Sequence, residues 1–197
     1  MASHTILARL HGRPVAGVPR WAVWAAYAVS LAVVPAGLWR ILAVDLRVPL
    51  MDVPPDAPPP PDWFGGEWWY VIGLSVAGEL LAFLAIGLVS GWGEVWPRWV
   101  PGLGGRRVPL PAAVVPAGFG AAVNTVLWSY GMVMVSLGRR VDGSGAIGLH
   151  TGGWRQVVFL AAYWPLAVWG PLLGVLTVHY YRRRRRTESV HSAEGVR

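Results

Sequence analysis

A single carboxylate in the middle of a long apolar run limits this chain more than any other feature. The run is WWYVIGLSVAGELLAFLAIGLVS, from Trp68 to Ser90, with Glu79 at its midpoint. About 20 consecutive apolar residues suffice to cross the hydrocarbon core as a helix. An acidic residue at the centre of such a helix costs about 2.5–3.5 kcal/mol on insertion scales. Against it stand residues such as Val71, Ile72, Leu74, Leu80, Leu81, Phe83, Leu84 and Ile86, each contributing roughly 0.3–0.6 kcal/mol near the centre. The apolar side wins by a small margin. Trp68, Trp69 and Tyr70 supply an aromatic belt at one end and Trp92 one at the other, as expected at membrane–water interfaces.

The neighbours of Glu79 indicate where it points. Ser75, Gly78, Ala82 and Ala85 recur at spacings of three and four, a stripe of small residues along one helical face. Such stripes admit a neighbouring backbone, so Glu79, beside the stripe, is expected to face protein. Gly87 and Gly91 extend close packing toward the far end at GxxxG spacing.

Three further spans follow from the same logic. Residues 20–43 form the first, with Pro35 expected to kink it by removing one backbone hydrogen bond. Residues 111–137 form the third, with Asn124 and Trp128 near its middle. Residues 156–181 form the fourth, where Pro165 and Pro171 each interrupt the ladder within YWPLAVWGPLLG. A bend between Tyr163 and Leu172 is expected, with Trp128, Trp164 and Trp169 as candidate cavity lining facing Glu79. The chain is thus read as all-α: a membrane bundle of four transmembrane helices over residues 20–181, preceded by an N-terminal tail (1–19) and followed by a basic tail (182–197) that ends disordered.

The 17 basic residues are all arginine, and their placement sets the orientation. Arg9, Arg13 and Arg20, then Arg98, Arg106 and Arg107, then Arg182 to Arg186 and Arg197 fall on one side of a four-span topology. Only Arg40, Arg47, Arg139, Arg140 and Arg155 fall on the other. The positive-inside rule places both termini in the cytoplasm. Arg98, Arg106, Arg107, Arg182 and Arg183 are candidate contacts for anionic headgroups, worth roughly 1 kcal/mol each near the surface. The net charge of +7 is therefore read as membrane orientation, not nucleic-acid binding.

The connecting segments differ in character. Residues 44–67 hold five of the ten acidic residues and the run VPPDAPPPPDW, read as a stiff, acidic polyproline II spacer. The GLGGRR piece could form a backbone nest for phosphate, but without a strand–loop–helix setting it is read as a turn bearing lipid-facing arginines. His150, in a glycine-rich loop, has no companion ligand at metal-site spacing. The lack of cysteine excludes disulfides, thiolate catalysis and cysteine metal sites. No metal and no cofactor is called for.

The loop WGEVWPRWVPGLGGRRVP, running directly into a proline-rich apolar span, resembles one found in uncharacterised multi-pass membrane proteins of high-GC, actinobacterial-type bacteria. The resemblance covers the second and third spans and their loop, about half the chain. It implies a polytopic protein of the bacterial cytoplasmic membrane and carries no activity, cofactor or catalytic residue.

With antiparallel spans, Glu79 and Asn124 are expected near the same midplane, with Ser30 comparable on the first span and Trp169 on the fourth. A hydrogen bond between Glu79 and Asn124 would satisfy both groups in a dry interior. Three functional readings follow. The first is a non-enzymatic accessory or scaffold protein in which that bond is structural. The second is a small proton-coupled transporter in which Glu79 cycles a proton. The third is a lipid-modifying enzyme, which needs a second acid–base group beside Glu79. The partners implied are the lipid bilayer and either a second copy of the chain or another membrane protein.

Overall fold

In the computed structural model, the residues described are 17–50, 66–96, 101–137 and 153–194, with Val15, Arg98 and Arg139, and side chains as far as Thr187. The proline-rich spacer, the loop carrying His150 and most of the N-terminal tail lie outside them. The described residues are helical apart from turns and one isolated antiparallel bridge, Val95 to Arg107. Four helical segments are long and apolar enough to cross a membrane: Arg20–Asp45, Trp68–Gly87, Leu110–Ser136 and Trp154–Thr187.

The first span is built from three pieces. Helix α1 (Arg20–Ala32) buries Ala22, Ala26, Val29 and Ala32, one face at steps of four, three and three. The helix lapses at Val33, and α2 (Val34–Arg40) restarts with Pro35 in its first turn, where a missing N–H leaves no bond broken. The kink expected from Pro35 is therefore a change of helix. A π-helical turn, Ile41–Asp45, closes the span, with the Leu46 amide donating to Ile41 O at 2.9 Å.

The second span, α3 (Gly66–Gly87), ends three residues before the expected boundary, and Leu88, Val89 and Ser90 continue as buried turns. Its small stripe meets the first span. Ser75, Ala82 and Ala85 are buried, a Cβ on Gly78 would meet Val33 at 3.3 Å, and one on Gly37 would meet Ser75 at 3.8 Å. The GxxxG expectation is corrected. A side chain on Gly87 would strike the Trp92 ring at 2.6 Å, and nothing lies within 4 Å of Gly91. The smallness of Gly87 serves the turn that follows α3, not a second helix.

The third span, α4 (Leu110–Ser136), and the fourth, α5 (Trp154–Glu194), cross closely. A Cβ on Gly170 would collide with Thr125 Oγ1 and lie 2.5 Å from the Thr125 nitrogen. Thr125 Oγ1 donates to Ala121 O and Thr177 Oγ1 to Leu173 O, both at 2.7 Å, so these hydroxyls are satisfied on their own helices in an apolar contact. Helix α5 runs uninterrupted through Pro165 and Pro171 for 41 residues, roughly 60 Å at the α-helical rise. That length corrects the expected disordered tail, because the helix continues past the arginines to Glu194.

Neighbour relations define a row rather than a closed ring. The second span packs on the first, the first on the fourth, and the fourth on the third. The third span, with one principal neighbour, buries only Ala121.

Candidate functional site

Glu79 faces a groove between the first two spans. Ser30, Val34, Gly37, Leu38 and Ile41 form one wall, and Ser75, Val76, Leu80 and Phe83 join Glu79 on the other. The groove encloses about 540 Å³ and opens along one side. Its walls are almost wholly apolar: Ser75 Oγ is turned to Val71 O at 2.8 Å. Among the described residues the Glu79 carboxylate has no hydrogen-bond or ion-pair partner.

Asn124 is not that partner. Its Nδ2 donates to Gly120 O, one turn back on α4, at 2.9 Å, and the second and third spans stand at opposite ends of the row. The expected Glu79–Asn124 bond is therefore not formed. Equal depth holds for both residues, but depth says nothing about which helices adjoin. Ser30 does meet the expectation and lines the groove with Glu79.

The tryptophans expected to line a cavity opposite Glu79 lie elsewhere. Trp164 is exposed and Trp169 is buried, its indole nitrogen without a partner. Trp128 tilts against Tyr163, ring centroids 6.1 Å apart. No break in α5 marks the stretch from Tyr163 to Leu172, so the expected cavity between Glu79 and the fourth span is replaced by the groove on the first.

The candidate headgroup arginines divide into two groups. Arg98, Arg106, Arg107 and Arg182 are exposed. Arg183 is turned inward, its Nη2 donating to Glu94 Oε1 at 2.6 Å with side-chain exposures of 13% and 25%. The same nitrogen lies 3.4 Å from Leu88 O. Tyr180, fully buried, donates to Gly93 O at 3.0 Å, and Arg184 donates to Val108 O at 3.0 Å. These bonds tie α5 to the segment joining the second and third spans. That segment is a tight loop, with Trp96 N donating to Arg106 O and Gly105 N to Trp96 O, both at 2.9 Å. The amides of Gly105 and Arg106 are thus used within the turn, the latter on Leu103 O, and neither is available to a phosphate nest. Gly102 and Gly105 hold φ of 76° and 78°, as a reversal of this kind requires.

Two groups escaped the sequence reading. The Glu94–Arg183 pair had a signal, because Glu94 is the sole acid in an arginine-rich loop. At the other end of the molecule, Trp39 packs edge-on against Phe159 and Tyr163, centroids 5.2 and 5.4 Å away. Nearby in sequence, Asp45 is buried with neither carboxylate oxygen hydrogen-bonded. Its burial had no signal, since Asp45 stands at the start of an acidic loop. No group of three or more potential metal ligands occurs among the described residues.

Comparison with known proteins places this geometry beside no precedent: no family model, no curated protein and no solved structure matches the chain.

Proposed function

We propose that this chain is a small proton-coupled membrane carrier in which Glu79 is the group that takes up and releases the proton. One observation carries the reading: the Glu79 carboxylate lies near the middle of a membrane-spanning helix, faces an open groove, and has no partner among the described residues. A carboxylate kept in the hydrocarbon region at that cost, without a structural bond, is best explained by work that needs its charge. The structural role weighed from the sequence rested on Asn124, which is engaged on its own helix. An enzyme acting on lipid would need a second acid–base group beside Glu79, and no such group lines the groove among the described residues.

The test is proton movement in liposomes containing the native chain, read by an entrapped pH dye as small cations, anions and neutral solutes are added outside. At least one solute is expected to drive proton flux through the native protein, and none through Glu79→Gln, whose amide cannot titrate. Equal flux in both proteins, or none in the native one, overturns the reading.

The reading of an accessory or scaffold component is kept for one observation. One face of α4 is uncovered, with Val115, Phe119, Val126 and Val133 exposed along it. Extraction in mild detergent followed by sizing separates the two: a scaffold component elutes with other proteins, a carrier alone or with copies of itself.

A further inference from the structure

We propose that the Glu79 groove is a binding site for a small lipophilic cation, with Glu79 as its counter-ion. The inference rests on the carrier reading and names the class of solute carried.

Shape and charge together select this class. The lining spans Ser30 to Ile41 on one wall and Ser75 to Phe83 on the other, roughly 16 and 12 Å at the helical rise. That is about half a bilayer core, too short to seat a whole transmembrane helix along its length. A volume of about 540 Å³ lies within the range of roughly 300–1,000 Å³ typical of small-molecule sites.

The walls offer hydrocarbon, and Gly37 and Ser75 face each other at the floor of the groove. Among the described residues Glu79 is the one charged group lining the groove, and neither span adds another titratable or charged side chain to it. An occupant complementary to such a site is apolar over most of its surface and carries one positive charge. An anion would meet the carboxylate without a counter-charge, and a neutral apolar solute would leave it unpaired. The open side of the groove faces away from the protein, so such a cation enters laterally from the bilayer, where lipophilic ions already partition. Protonation of Glu79 removes the counter-ion and releases the cation, which supplies the exchange that a proton-coupled carrier needs.

The experiment measures equilibrium binding of tetraphenylphosphonium to the full chain in lipid nanodiscs, with empty nanodiscs as the baseline. Saturable binding is expected at mildly alkaline pH, weakening about tenfold or more in acid and in Glu79→Gln, as loss of a desolvated charge contact implies. Glu79→Asp keeps the charge and should retain part of the affinity. Val76→Trp leaves Glu79 in place but fills the groove, and should lose binding. Tetraphenylborate, of the same shape and opposite charge, offered alone in a separate titration, should show no saturable binding.

Elution volume and helical circular dichroism check that each variant is folded. If Glu79→Gln fails that check, Val76→Trp and the separate borate titration decide. Undiminished binding in a folded Glu79→Gln or Val76→Trp, or saturable binding of tetraphenylborate alone, overturns the site. Cation binding without proton flux sinks the carrier reading and leaves the site standing. Proton flux driven only by anions or neutral solutes sinks the site and leaves the carrier.

Discussion

At the scale of single residues, Glu79 and Asn124 settle their polar groups in opposite ways. Asn124 turns its Nδ2 back to Gly120 O on its own helix at 2.9 Å, whereas Glu79 is left facing its groove. Replacing Glu79 by leucine therefore removes an insertion cost of about 3 kcal/mol and breaks no bond. Insertion of the segment in a translocon reporter should improve, and the melting temperature of the purified protein should hold or rise. A fall in melting temperature would mean that the carboxylate has a stabilising partner after all. The packing of the small stripe on the first span was legible in the sequence, because Ser75, Ala82 and Ala85 are buried and Gly78 comes close to Val33. That Glu79 would face an open groove was not. Nor was the missing contact with Asn124, because residues at equal depth adjoin only if their helices do.

Elements show the same division between local and long-range information. The small residues Gly170 and Gly174 both face α4, but a Cβ on Gly174 would rest 3.7 Å from the Ala121 Cβ, while one on Gly170 would overlap Thr125. Gly174→Ala should leave thermal stability nearly unchanged, and Gly170→Ala should lower it by an amount typical of overpacking, about 1–3 kcal/mol. Equal melting temperatures for the two would mean that the helices separate freely at this crossing. Span positions could be read to within a few residues, because hydropathy is a local property. Whether a proline ends, kinks or merely occupies a helix could not. Pro35 falls in the first turn of α2, and Pro165 and Pro171 sit within a continuous α5, outcomes decided by neighbours distant in sequence.

The loop between the second and third spans is an element whose order depends on α5. Arg183 bonds Glu94, Tyr180 bonds Gly93 O and Arg184 bonds Val108 O. Glu94→Gln weakens the one charged contact among them, a bond class worth about 1.5–3 kcal/mol. The loop should then be cut faster by trypsin at the exposed Arg98, Arg106 and Arg107, while the spans stay intact. Unchanged cleavage would show that the ion pair does not hold the loop. Tyr180→Phe should have a smaller effect in the same direction, since it removes a neutral bond.

For the whole molecule, hydrogen bonds gather Val15, the loop carrying Arg98, Arg106 and Arg107, and the arginine-bearing part of α5 at one end. Val15 N donates to Val89 O at 3.1 Å, and Tyr180, Arg183 and Arg184 reach residues 88–108. Asp45, Arg47 and the aromatic cluster of Trp39, Phe159 and Tyr163 lie toward the opposite end. If all four candidate spans cross the membrane, both ends of this sequence emerge on one side, and by the positive-inside rule we propose that this side is cytoplasmic. A reporter fused after Arg186 should therefore signal the cytoplasm, and one inserted between Asp52 and Asp62 the opposite face. Removing Arg182 to Arg186 should weaken but not invert this orientation, because Arg98, Arg106 and Arg107 remain on the same side. Signals from one side for both reporters would contradict the four-span topology, and a swap of sides would contradict only its orientation.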